Sequence, residues 1–175
     1  MPASLVLSGP PGVGKTSVGW RVFDRCTDLD VKPAFADLDL LGAAWPAPDD
    51  DPHQSRLKAT NLAAVWSNYR RAGSRSLIIA GVVENLLERR QLEDATGGPV
   101  MICRLDAPDT ELAQRIHGRA RETGTGLAQL VARAAELSAQ LIAEDVSDHS
   151  INTAARTIDD IADEVLTRWQ ADALS

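Results

Sequence analysis

Gly9-Pro10-Pro11-Gly12-Val13-Gly14-Lys15-Thr16 is the stretch from which the rest of this chain is best read. It matches the pattern glycine, any four residues, Gly-Lys and Ser or Thr at every fixed position. Ser4 to Ser8 ahead of it is a short apolar run, as in a buried strand. Behind it Val18, Val22 and Cys26 recur every four residues, on one face of a helix. Glycines let the backbone curl until successive N–H groups point inward at phosphate oxygens, and a helix starting there adds its partial positive charge. Lys15 is placed to reach the β- and γ-phosphates, and the Thr16 hydroxyl to complete the coordination of Mg²⁺. The expected triphosphate site is Pro11, Gly12, Val13, Gly14, Lys15, Thr16 and Ser17.

Outward from this loop, strands and helices alternate. After Pro33, Ala34 to Leu41 reads as a second strand with acids at its end. Gly42 to Pro52 carries three prolines and Asp49-Asp50-Asp51, which predicts an exposed loop with solvated aspartates. Leu62, Val65, Trp66 and Tyr69 mark a helix closed by Gly73, and Leu77 to Val83 is a nearly unbroken apolar run, as in a central parallel strand. The turn Gly97-Gly98-Pro99 introduces another at Val100 to Leu105. Pro108 and Asp109 open a helix through Arg115, Arg119 and Arg121 towards Gly124. Leu127, Leu130, Val131, Ala134, Leu137 and Leu141 mark a long amphipathic helix, and His149 to Thr153 a last short strand. Thr157, with Asp160 three positions on, caps a final helix striped by Ile158, Ile161, Val165 and Trp169. The alternation predicts an α/β protein, a parallel sheet with helices on both faces, in one domain over residues 1–175.

Composition narrows the partners. Eighteen Lys and Arg against 25 Asp and Glu give a net charge of −7, a field that repels nucleic acid. With 44% hydrophobic residues the chain is globular, and with 4% aromatic its core is aliphatic. Cys26 and Cys103 lie far apart in apolar surroundings, without metal-ligand spacing, as in a reducing compartment. No apolar run approaches the roughly 20 residues of a membrane span, and the N-terminus has no basic-then-apolar signal. A soluble cytoplasmic protein, with neither membrane nor nucleic acid as partner, is expected. No Asn-Lys-x-Asp guanine-reading sequence occurs. Asp39 to Gly42 matches the Asp-x-x-Gly pattern of GTPases, but so does Asp94 to Gly97, as often as chance supplies.

With the phosphate loop and this alternation in hand, the layout resembles the small P-loop kinases of the nucleoside-monophosphate and shikimate kinase type, including the chloramphenicol phosphotransferase branch. The resemblance covers nearly the whole chain and implies a three-layer P-loop NTPase fold with a five-stranded parallel sheet in the order 2-3-1-4-5. It further implies ATP and Mg²⁺ as cofactors, a small-molecule acceptor, a substrate-binding loop near 42–56 and a lid near 115–126. Asp37-Leu38-Asp39 is similar to the Asp-x-Asp of shikimate-like kinases. Carboxylates at i and i+2 on a strand share a face. The resemblance implies Asp37 beside the metal and Asp39 at the acceptor hydroxyl, or the two exchanged, with Glu84 as the alternative for the metal. Arg115 and Arg119 fall where the lid implies guanidinium groups over the triphosphate, and they share a helical face. Arg156, in the connection after the last strand, falls where the family passes the adenine ring.

Two departures limit the acceptor. The central strand runs through Ala80-Gly81-Val82-Val83 before reaching Glu84, instead of ending in an acid, and no Asp-Gly-Phe-Pro-Arg stretch follows it. The second counts against a nucleoside monophosphate. Gly81 permits close backbone approach there, and Glu84 is expected to emerge in the substrate pocket. Trp45, between Ala44 and Pro46, offers an apolar wall to that pocket, and Arg56 and Lys58 a partner for an acidic group. His117 has no partner at useful spacing and reads as a surface residue; Trp20 and Trp66 read as packing residues. The chain therefore reads as a kinase phosphorylating a hydroxyl of a metabolite or an antibiotic-like compound. A nucleotide switch acting on a protein partner is the alternative. The sequence leaves the oligomeric state open.

Overall fold

The computed structural model describes residues 4–118 and 124–171. Five strands form one parallel sheet: β1 (Ser4–Ser8), β2 (Pro33–Asp37), β3 (Ser76–Ala80), β4 (Val100–Asp106) and β5 (His149–Asn152). Their order is β2-β3-β1-β4-β5, the order the resemblance implied. Central β1 pairs Val6 with Ile79 of β3 on one side and with Ile102 of β4 on the other.

Period-2 alternation splits each strand between two cores. Leu5, Leu7, Ile78, Met101, Cys103 and Leu105 face helices α1 (Lys15–Asp28) and α7 (Ile158–Ala171), which supply Val18, Val22, Ile161, Val165 and Trp169. Val6, Leu77, Ile79, Val100 and Ile102 face α3 (Ser55–Arg71) and α4 (Leu86–Thr96), through Leu62, Trp66 and Leu92. Trp66 is fully buried and its indole N–H donates to the Thr96 carbonyl at 3.2 Å, fastening α3 to the end of α4. Trp20 is half exposed, stacked on Phe35 with ring centroids 4.4 Å apart. Burial pushes the Cys26 and Cys103 thiols up to about 11 and about 12, so both are unreactive packing groups.

The chain departs from the sequence reading in three places. The second strand stops at Asp37, not Leu41, and a short helix α2 (Leu38–Leu41) follows. Asp37 turns the backbone by accepting the Asp39 N–H on its own carboxylate at 3.0 Å. The third strand ends at Ala80, not Val83. The Gly81 N–H still donates to the Leu7 carbonyl, but the Val83 N–H goes to the Ser8 hydroxyl, and the chain lifts off the sheet. A Cβ at Gly81 would stand 2.6 Å from the Leu38 side chain, so glycine lets α2 lie against the strand end. Helix α4 has no counterpart in the sequence reading. The Asn85 side chain accepts the Glu88 N–H at 3.0 Å, and the Glu88 carboxylate accepts the Glu84 N–H at 2.7 Å. That Asn-x-x-Glu spacing is a helix-start signal the apolar pattern hid.

The remaining helices are α5 (Asp109–Gly118) and α6 (Gly124–Glu144), packed on each other beyond β4. The Thr157 cap is as expected: its hydroxyl accepts the Asp160 N–H and donates to the Asp160 carboxylate. No helix among the described residues is long and apolar enough to cross a membrane.

Candidate active site

The phosphate loop leaves the carboxyl end of β1 and enters α1 at Gly14, whose φ of +106° is strained for any residue with a side chain. The Lys15 ammonium folds back over the loop and donates to the Gly9 and Pro10 carbonyls at 2.8 and 3.2 Å. The Thr16 hydroxyl donates to Asp37 Oδ2 at 3.0 Å. Asp37 is therefore tied to the loop, while exposed Asp39, in the first turn of α2, lines the cleft. The expectation that both acids share one face of one strand is corrected: β2 ends at Asp37, and Asp39 lies in α2.

A cleft of about 380 Å³ opens above the loop. Lys15, Thr16 and Asp39 line it, with His53 and Lys58 from the α3 side, Glu84 after β3, and Leu130, Arg133 and Leu137 from α6. Such a volume suits a small substrate. Glu84 is in the pocket as expected, where it accepts from Arg133 and from Gln140, each at 3.1 Å. Arg133 escaped the sequence reading, because one arginine in an amphipathic helix carries no local signal. Behind the cleft lies a recess walled by Leu38, Glu88, Gln91 and Leu92. Glu88 is held above the usual carboxylate range chiefly because burial penalises its charge; the neighbouring Glu84 charge adds to this, while the Glu84 N–H, Lys58 and His53 oppose it.

A second hollow, about 400 Å³, lies on the other flank of the loop, lined by Gly12, Val13, Gly14, Ser17, Arg115, Arg156 and Ile158. Arg115 does not lie free above the triphosphate site as a lid residue would. It donates to the Val13 carbonyl at 3.2 Å, to the hydroxyl and carbonyl of Thr153 at 3.0 and 2.9 Å, and to Glu111. It thereby braces the loop against the chain after β5. Arg156 pairs with Glu164 at 2.6 Å and holds the Asn152 and Asp160 carbonyls, so it borders this hollow as a fixed wall. Arg119 and Arg121 lie outside the described residues.

Three other expectations meet a different arrangement. Trp45 is 94% exposed and lines none of these cavities. Arg56 pairs with Asp50 at 2.6 Å and faces a groove between α3 and α4, away from the cleft. Asp51 is buried, not solvated: its carboxylate accepts the Arg56 and Leu57 N–H groups and the Ser55 hydroxyl, starting α3. His117 is exposed on α5, as expected.

The sheet order, the glycine loop at the end of β1 and the cleft beyond it are the fold of the P-loop kinases. The chain belongs to the family described as AAA domain, whose model matches residues 5–136. No curated protein matches it. Among solved structures it is similar to a gluconokinase from Sinorhizobium meliloti 1021, at 23% identity and a TM-score of 0.68 over 99% of this chain and 95% of that one. It is similar to the tunicamycin resistance protein of Deinococcus radiodurans, at 20% identity and 0.67 over 96% and 95%. The shikimate kinase of Acinetobacter baumannii, in complex with shikimate, matches at 17% and 0.63 over 99% and 96%. Likeness at this identity concerns the fold.

Proposed function

We propose that the protein is an ATP- and Mg²⁺-dependent kinase that phosphorylates a hydroxyl of a small molecule. The observation that carries this is the convergence of Lys15, Thr16, Asp39, Glu84 and Arg133 on one cleft. The likeness of the fold to a gluconokinase, a shikimate kinase and a tunicamycin resistance protein agrees with it.

In this reading the loop N–H groups of Gly12 to Thr16 and the Lys15 ammonium hold the triphosphate, and the nucleobase lies in the flanking hollow beside Arg156. Among the described residues no group of three or more His, Cys, Asp or Glu is poised to hold a metal, so the fit to Mg²⁺ rests on Thr16 and Asp37. These are hard oxygen groups, suited to an ion usually bound through one or two carboxylates and substrate phosphates. When bound there, Mg²⁺ neutralises phosphate charge. The acceptor hydroxyl oxygen bonds the γ-phosphorus as the bond from that phosphorus to the β–γ bridging oxygen breaks. ADP departs with the electron pair, and the hydroxyl proton passes to Asp39. Arg133 faces the transferring group from α6, and Leu130 and Leu137 beside it exclude water.

The test is ADP release with Mg·ATP, alone and against pools of hydroxylated metabolites and antibiotics. One pool should stimulate it strongly. Asp39→Asn should abolish the stimulation, a loss of roughly 10²–10⁴-fold, with ATP affinity nearly intact. Slow release indifferent to every pool would instead favour a nucleotide switch.

A further inference from the structure

Both oxygens of the Glu84 carboxylate face α6. Oε1 accepts from Nη2 of Arg133 and Oε2 from the side-chain amide of Gln140, each at 3.1 Å. The two donors stand seven positions apart, two turns along one face of the helix, so a single carboxylate spans both. The post they grip is itself fixed. The Val83 N–H donates to the hydroxyl of Ser8, the last residue of β1, and the Glu84 N–H donates to the Glu88 carboxylate at 2.7 Å. Ser8 directly precedes the phosphate loop, so hydrogen bonds and one peptide link connect the root of that loop through Glu84 to α6.

Only one nitrogen of Arg133 is used in this way. Its Nε and Nη1 donate to nothing among the described residues, and the side chain is partly exposed in the cleft that Lys15 and Thr16 also line. A guanidinium pinned at one corner loses rotamer freedom, while its other N–H groups stay open to a phosphate oxygen. Gln140 lines neither the cleft nor the hollow on the other flank of the loop, and among the described residues its side chain bonds only Glu84. A change at Gln140 therefore reaches a bound nucleotide through Glu84 and Arg133.

We propose that Glu84 and Gln140 are positioning residues that hold Arg133 towards the γ-phosphate: Glu84 pins one corner of the guanidinium, and Gln140 fixes which way the Glu84 carboxylate turns. Glu84 accordingly acts through Arg133 and not on the metal. The inference rests on the kinase reading above, which puts a γ-phosphate in this cleft.

The experiment needs no acceptor. Calorimetry on the full chain with Mg²⁺ gives the dissociation constants of ADP and of AMP-PNP, a triphosphate analogue that is not turned over. Their ratio reports what is gained from the γ-phosphate, and the parent should bind AMP-PNP more tightly. Arg133→Met should reduce the ratio about tenfold, in the range for a hydrogen bond to a charged group. Gln140→Met, which keeps the volume but no donor, should reduce it about threefold, and Gln140→Glu, which sets a second carboxylate against Glu84, at least as much. Added to Arg133→Met, Gln140→Met should change the ratio by less than about twofold, because the residue it acts through is gone. A Gln140 that merely fastened α6 would lower the thermal midpoint and leave the ratio alone. An unchanged ratio in the Gln140 variants, equal losses with and without Arg133, or a parent that does not distinguish AMP-PNP from ADP overturns the inference. ADP release indifferent to every acceptor pool overturns the kinase reading instead, whatever the ratio shows.

Discussion

Thr16 and Asp37, 21 positions apart in sequence, are joined by a hydrogen bond of 3.0 Å from the hydroxyl to Oδ2, while Oδ1 of the same aspartate receives the Asp39 N–H. One carboxylate thus ties the phosphate loop to the end of β2 and turns the chain that presents Asp39. Removing it affects two properties that can be separated. Asp37→Ala should lose about 1 kcal/mol of stability with the cap, together with activity. Asp37→Asn retains an oxygen for the cap, so its thermal midpoint should stay near that of the parent. Its ADP release should fall about 100-fold and require more Mg²⁺. Thermal unfolding and a Mg²⁺ titration of both variants check this.

Arg115 spans the loop at Val13 and the chain after β5 at Thr153. Lysine cannot reproduce a fork that meets a carbonyl, a hydroxyl and a carboxylate together. Arg115→Lys should cost about 2 kcal/mol of stability, in the range for hydrogen bonds to a charged group. The KM for ATP should rise several-fold while the acceptor KM hardly changes. Urea unfolding with steady-state kinetics measures both.

Trp66 anchors the second core. Truncation to alanine should destabilise by about 3–5 kcal/mol. Trp66→Phe, which keeps most of the bulk but loses the bond to Thr96, should cost about 1 kcal/mol or more. Urea midpoints of the two variants separate packing from the hydrogen bond.

Glu88 predicts a pH dependence. Its folded value is raised, mainly by burial, so between the ordinary glutamate value and the raised one the native state holds more proton than the unfolded state. Stability contributed by this group is therefore present at low pH and lost as pH rises through that window. Glu164, held low by Arg168 and Arg156, slopes the other way and is present in both proteins compared. Glu88→Gln should flatten the decline, so the difference in stability between variant and parent should increase as pH rises above the ordinary glutamate value of about 4.3. Urea midpoints across that range test it; a constant difference contradicts it.

The phosphate loop and its two flanking elements were legible because each is a local pattern: glycines where the backbone must curl, and apolar residues at a fixed period. The end of β2 was not. Leu38, Leu40 and Leu41 continue an apolar run that reads equally well as strand, and only the Asp37 carboxylate capturing the Asp39 N–H turns it into a helix. The start of α4 was marked by Asn85 and Glu88, but the mixed charges of residues 88–94 offered no clear apolar stripe. Trp45 looked like a pocket wall from its apolar neighbours, yet it stands in solvent. Asp51 looked solvated within its acidic triplet, yet it is consumed by three donors at the head of α3.

Short-range order in the chain was sufficient for the phosphate loop, the alternation of strands and helices, and the aliphatic composition of the two cores. Sheet order was implied by resemblance and appears as such in the structure. Which side chains share the cleft was decided only by the tertiary fold, because Asp39 comes from α2, Glu84 from the segment between β3 and α4, and Arg133 from α6. The same holds for Arg115, which the family resemblance placed at a lid and whose hydrogen bonds to Val13, Thr153 and Glu111 make it a brace. A hydrogen bond between distant segments depends on where the backbones arrive, and no local pattern of residues encodes that.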